Sequence, residues 1–288
     1  MMTSEPLVKW WIFIGDRRKM DNKRQLTAAR DILLKIANHP HNPKFNYLAK
    51  SEITRAKIFR TENLNRPQKY NRYKRGTIVF IHFGTNTGTE FSNSHFGIVL
   101  DKKDHPNNGK LTVLPLTSKN GKNNISIGKA VFSGIMNENE TAVNKIKELF
   151  KLTDAIELSS FNLPEGGYIY RLNEDTEQTR LWLDYYNRHD PEGKFIPVEI
   201  DTIRKWLQAD TDKITSLKTR YANYDKVSYA KVDSITSVSK LKIAKPINDL
   251  DPIGRITLSK EVMDDIDRAL AKQLLSGKWI KFDKENKE

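Results

Sequence analysis

Residues 93–119 read NSHFGIVLDKKDHPNNGKLTVLPLTSK. Two apolar runs, Phe96–Leu100 and Leu111–Leu116, flank the turn-rich link HPNNGK, a pattern that predicts two strands joined as a hairpin. The runs are almost continuously apolar, so both faces of these strands are expected to be buried. The second run stops abruptly on Thr117, Ser118 and Lys119, and the first opens on His95. Upstream, TIVFIHF (77–83) predicts a third strand, and GTNTGTE (84–90) a glycine-bearing turn or flexible loop. The β texture returns in VSYAKVDSITSVSKLKI (227–243). Together these segments predict a small barrel or half-barrel packed by helices.

Helical patterns surround this β material. Leu26, Ala29, Leu33 and Ile36 fall on one face of a helix expected over 21–37, capped by Asp21 or Asn22 and stopped by HPHNP. A polar, basic passage then runs to NRPQKYNRYK, which reads as a linker or an arm over Arg66–Lys74 whose Tyr70 and Tyr73 can stack on bases. Residues 121–225 read as a helical insert. Val143, Ile146, Leu149 and Phe150 follow a start signal at NENE (137–140), with further helices around Leu181, Leu183 and Tyr186 and around Ile200, Ile203, Trp206 and Leu207. The chain closes on a helix capped by Ser259, with Val262, Ile266, Leu270 and Leu274 in one stripe.

The 288 residues carry a formal charge of +13. Residues 1–74 hold 17 Lys and Arg against 6 Asp and Glu, so +11 of that charge lies there. Such a segment suits a polyanion, because each cation near a phosphate releases counterions. It suits an acidic protein equally well. With no cysteine, disulfides and thiolate metal sites are excluded. The apolar run Trp10–Ile14 is far shorter than the ~20 residues of a membrane helix. A soluble, cytoplasmic protein with no membrane partner is expected.

RGTIVFIHFGTNTGTE (75–90), HFGIVL (95–100) and LTVLPLTSK (111–119) together resemble the N-terminal half of MazF/PemK-type toxins. In that family an Arg-Gly opens the first strand and a loop follows it. The second strand begins after a catalytic arginine, and the third ends in a catalytic threonine or serine. DSITSV (233–238) and ITLSKEVMDDIDRAL (256–270) look like the family's last strand, connection and C-terminal helix. The ending Leu116–Lys119 also looks like the ToxN/AbiQ toxins, whose antitoxin is an RNA. The resemblance spans about 74–123 and 226–275. It implies an α+β fold: an SH3-like small β-barrel of MazF/CcdB type with a C-terminal helix. A basic N-terminal helical extension (1–73) would precede the barrel domain (74–288), itself interrupted by the helical insert at 121–225.

The activity so implied is metal-independent endoribonuclease cleavage of single-stranded RNA, leaving 2′,3′-cyclic phosphate and 5′-hydroxyl ends, with no cofactor. The setting would be a toxin–antitoxin or phage-defence system, with an acidic protein or an RNA as antitoxin and a homodimeric toxin. His95 stands where the family has its catalytic arginine. An imidazole, with a reference pKa near ~6.5, carries protons better than a guanidinium but is a weaker fixed charge. Thr117 and Ser118 would polarise the phosphate, and Lys119, Arg75 and Lys74 would hold the RNA backbone. Gly88 and Glu90 fall on the loop near the site. Thr236 occupies a place where many members carry an arginine, and His82 reads as structural. The rival readings are a catalytically inactive barrel that binds nucleic acid or an antitoxin-like partner, and a DNA-binding regulator that works through its N-terminal helix. In the plainest reading, His95 is an ordinary polar strand end and Thr117–Lys119 a turn cap.

Overall fold

A computed structural model of the chain describes residues 22–64, 69–159, 168–169, 184–192 and 198–276. The apolar run at Trp10–Ile14, Arg66 of the arm, and Leu181 and Leu183 of the insert lie outside the described residues. By internal contacts the chain divides into two units, 1–66 with 83–93, and 67–82 with 94–288.

In the first unit, α1 (Asn22–Asn38) and α2 (Leu48–Asn63) are joined by a short 3₁₀ turn, Pro43–Tyr47. The Asn42 side chain accepts from Lys44 N at 3.1 Å to start that turn. The loop expected to be flexible is instead tied down. Lys44 Nζ donates to Asn86 O (3.1 Å) and Gly88 O (2.9 Å), and Thr85 N donates to Ser51 Oγ (2.8 Å). Asn86 Nδ2 donates to Phe91 O at 2.7 Å, and Phe91 meets Phe83 edge-on. The loop ends on Asn93, at φ 72°, a backbone region that few residues other than glycine adopt.

The second unit is built on a six-stranded antiparallel sheet. Its strands are β1 (Ile78–Gly84), β2 (Asn93–Val99), β3 (Lys110–Thr117), β4 (Asn124–Ser126), β7 (Tyr229–Lys231) and β8 (Thr236–Ser239). The order is β1-β2-β3-β7-β4, with β8 also on β3. A separate two-residue pair joins β5 (Tyr168–Ile169) to β6 (Val198–Glu199). The α+β class is as expected, but the ladder does not close into a barrel. At the outer edge of β1 there are isolated bridges, Ile81 to Ile243 and Thr77 to Thr257.

The register explains Pro115. Leu100 N donates to Thr112 O (2.9 Å), so even-numbered residues of β3 turn their backbone groups toward β2 and odd-numbered ones toward the far edge. On that edge β8 pairs up to Val113, and β7 takes over at Leu116. Pro115, with no N–H to offer, sits in the gap where the partner changes.

Both sheet faces are covered, as the apolar runs predict. Ile78, Phe80, Phe96, Ile98, Leu114 and Leu116 pack under helices α3 (Ala130–Ser159), α4 (Ile200–Tyr221) and α5 (Lys260–Leu274), which supply Ile135, Leu217 and Ile266. On the other face a Cβ at Gly97 would stand 2.8 Å from Ile81 Cδ1, so any larger residue there would force the Ile81 side chain to shift. Helix α3 begins at Ala130, which places NENE inside it rather than at its start. The fully buried Asn139 belongs to that stretch. Ser259 caps α5 as expected, and Val262, Ile266 and Leu270 of the stripe lie on the chain's own core. A second cluster joins Ile146 and Leu149 of α3 to Ile203 and Leu207 of α4. No described helix is long and apolar enough to cross a membrane.

Candidate functional site

Strand β2 pairs with β3 at Val99–Val113, Ile98–Leu114 and Gly97–Pro115. Pairing ends there, although both strands continue. Carried on by two residues, the same register sets His95 across from Thr117, where β2 and β3 part. On its other edge Thr117 pairs with Tyr229, and Tyr229 pairs with Ser126. Directly opposed residues share a sheet face. Thr117, Tyr229 and Ser126 therefore form a polar row across three strands, on the face away from the helix-covered core, and alternation along β2 puts His95 on that same face. Apolar pairing packs the lower part of this face around Val99 and Val113, and the polar row begins where that packing stops.

Each member is held by local structure. His95 is half-buried, and burial lowers its pKa from the ordinary histidine value, so the neutral ring prevails at neutral pH. Thr117 Oγ1 accepts from Lys119 N at 3.1 Å, which bends the chain just beyond the strand and leaves the hydroxyl proton to donate. Ser118 and Lys119 are exposed, and Asn124 Nδ2 donates to Lys119 O at 3.1 Å. This end of the sheet thus carries an imidazole, hydroxyls and a phenol, with the exposed Lys119 just past the end of β3. Among the described residues no three His, Asp or Glu side chains converge to hold a metal ion.

The other sequence candidates are placed elsewhere. The Arg75 guanidinium bonds Leu100 O and Asp267 of α5, which joins the far end of β2 to the C-terminal helix. His95 and Leu100 are five residues apart on extended chain, about 16 Å, so Arg75 is not brought to the row. Lys74 is exposed at that same far end. Gly88 and Glu90 belong to the first unit, where Lys44 bonds the Gly88 carbonyl. Thr236 pairs with Val113, well below the row, and β7 rather than β8 flanks Thr117. His82 Nδ1 lies 2.8 Å from Ser94 Oγ on the helix-covered face, and its ring meets Phe80 edge-on.

Tyr229 and Ser126 are missing from the sequence reading. Their strands lie far from β3 in the chain, and only the β3–β7–β4 register brings them to this level. In comparisons with protein-family models and with curated proteins, the chain finds no match to either.

Proposed function

We propose that this chain is a toxin-like endoribonuclease of MazF/PemK type that cleaves single-stranded RNA at the row led by His95 and Thr117. The observation that carries this reading is the β2–β3 register, whose last pair, Gly97 with Pro115, lies two residues short of His95 and Thr117, with the exposed Lys119 just past the end of β3. The bridge between Ile81 and Ile243, with Ala244 N bonded to Phe80 O at 2.8 Å, supports an SH3-like small barrel as the underlying fold.

In the proposed reaction the ribose 2′-oxygen attacks the adjacent phosphorus and gives its proton to the neutral His95 ring. The depressed pKa favours this base role over an acid role. Thr117 and Ser118 donate hydrogen bonds to the non-bridging oxygens, where negative charge grows, and Lys119 offsets that charge. The P–O5′ bond then breaks, and the leaving oxygen takes a proton from solvent. The products are a 2′,3′-cyclic phosphate and a 5′-hydroxyl. Tyr229 offers a flat face to a base.

One observation favours a second reading, a binder without cleavage. The row contains no guanidinium, and the Arg75 side chain is spent on Leu100 and Asp267. Incubating the full chain with mixed-sequence RNA in EDTA separates the two. Cyclic-phosphate ends that vanish in Thr117→Ala support the nuclease. Binding with no cleavage at any pH rejects it.

A further inference from the structure

The open end of β2 presents side chains on both sheet faces. His95 shares the face of the polar row, and its neighbour Ser94 points the other way, where His82 Nδ1 lies 2.8 Å from its Oγ. On that second face the Phe80 ring is a hub. The rings of Phe96, His82 and Tyr224 meet it edge-on, with centroids 5.1, 5.8 and 6.1 Å away. The Arg220 guanidinium, near the C-terminal end of α4, stands 6.0 Å over Phe80 and 5.7 Å over Tyr221. Ser94 and Arg220 are exposed, and His82 and Tyr224 are partly so.

No carboxylate neutralises this guanidinium. Among the described residues Arg220 makes no hydrogen bond and no ion pair. The two carboxylates tied to its segment are engaged elsewhere. Asp225 meets Lys129 at 2.7 Å, and Asp251 accepts from the Tyr221 hydroxyl at 3.0 Å and from the N–H groups of Ile247 and Ile253. Residues 216–226 hold Lys218, Arg220 and Lys226 against Asp225 alone, a net of +2. Burial raises the Tyr224 pKa and the Arg220 charge opposes that rise, so the guanidinium acts on this phenol too. Aromatic faces orient the guanidinium while its N–H donors stay unfilled. With Nδ1 protonated, His82 donates to Ser94 Oγ and leaves the serine hydroxyl proton to donate outward. An oriented, unfilled guanidinium near a free hydroxyl donor suits a phosphate, and the rings suit a base.

We infer that Arg220 and the Ser94 hydroxyl clamp the phosphate of a nucleotide whose base lies against Tyr224. Two sources share that chemistry, a free mononucleotide and one nucleotide of a single-stranded RNA. An acidic peptide would meet the guanidinium but leave the rings without a stacking partner. The site lies on the opposite sheet face from the row, and the inference does not rest on the nuclease reading.

The test uses the full chain with two probes. AMP is titrated by calorimetry against inorganic phosphate, and a fluorescent single-stranded RNA with 2′-O-methyl riboses, which has no 2′-hydroxyl to attack, is followed by anisotropy. AMP should bind about fivefold or more tighter than phosphate, through its base. Arg220→Gln should weaken nucleotide binding about tenfold at unchanged melting temperature and reduce the salt slope for RNA by about 0.7. Arg220→Lys should recover only part, because it keeps the charge and loses the fork. Ser94→Ala should weaken binding about threefold, and the double variant should lose less than the product of the two single losses, since both groups touch one phosphate. Arg220-dependent AMP binding with RNA affinity unmoved assigns the site to a free mononucleotide. Arg220-dependent RNA binding with no gain of AMP over phosphate assigns it to a strand. Unchanged affinity of Arg220→Gln for both probes would overturn the inference. So would losses that simply multiply in the double variant, or a polyglutamate peptide that binds as tightly as RNA and is lost equally in Arg220→Gln. Cleavage of ordinary RNA is read separately, and its absence rejects the nuclease reading without touching these affinities.

Discussion

Lys240 and Asp104 meet at 2.7 Å with only 2% and 1% of their side chains open to water. Lys240 Nζ also donates to Asn71 O at 3.0 Å, between the rings of Tyr70 and Tyr73, and Tyr73 N donates to Asp104 at 2.9 Å. The pair joins the β2–β3 link, the segment before β1 and the turn after β8. Burial opposes the Asp104 charge, yet the Lys240 and Tyr73 hydrogen bonds and the Lys240 charge hold its carboxyl below the usual range. Removing one partner leaves the other buried and uncompensated. Asp104→Ala should lower stability by about 3–5 kcal/mol in urea unfolding. A depressed carboxylate pKa contributes stability above the unfolded-state value and loses it as pH falls through the folded-state value. The variant should therefore lose part of the parent's destabilisation in acid.

His95 carries the most direct check on the proposed active site. As a base with a lowered pKa, it should give a cleavage rate that falls on the acid side of the profile, below the ~6.5 of an ordinary histidine. His95→Ala should cut the rate on the order of 10²-fold and remove that limb. His95→Arg should keep some activity with a flat profile, because a guanidinium grips phosphate but does not titrate here. An alanine variant as fast as the parent would remove His95 from the chemistry. The same shift also acts on folding. The unfolded state binds the proton more readily, so His95 lowers stability as pH drops through its unfolded value.

Lys119 and Arg75 share one expected role in holding RNA; Lys119 lies just past the end of β3, whereas the Arg75 guanidinium bonds Leu100 O and Asp267. Lys119→Gln should reduce the slope of log affinity for single-stranded RNA against log salt by about 0.7, with unchanged unfolding. Arg75→Gln should leave that slope alone and lower the melting temperature, because it loses both Leu100 O and Asp267. The opposite pattern would return Arg75 to the RNA.

Gly97 tests the packing beneath the row. Gly97→Ala should cost about 1–3 kcal/mol, since the new methyl would stand 2.8 Å from the fully buried Ile81. A stable alanine variant would show that this face yields more readily than its packing suggests.

What the sequence disclosed was local. The apolar runs at 78–83, 96–100 and 111–116 became strands, and Ser259 became a cap, because period and cap chemistry act over a few residues. NENE misled because its acids and amides look like a helix start, whereas α3 begins at Ala130, just after the positive-φ Gly128. His95 and Thr117 were legible as strand ends. The partners of Thr117 were not, because Tyr229 and Ser126 reach it through pairings of long sequence separation. The partner of Arg75 was hidden for the same reason, since Asp267 lies near the other end of the chain.

Lys44 and Ser51 bear on how this gene can change. They supply three of the bonds that hold residues 84–92, yet they lie upstream of the strands of the six-stranded sheet. A truncation that discards residues 1–73 would strand the carbonyls of Asn86 and Gly88 and the N–H of Thr85. The extension and the loop are thus expected to be inherited as a set. Among descendants of this chain, replacements at position 44 should arrive together with replacements in 84–92, and lineages that shed the helices should also have rewritten the loop.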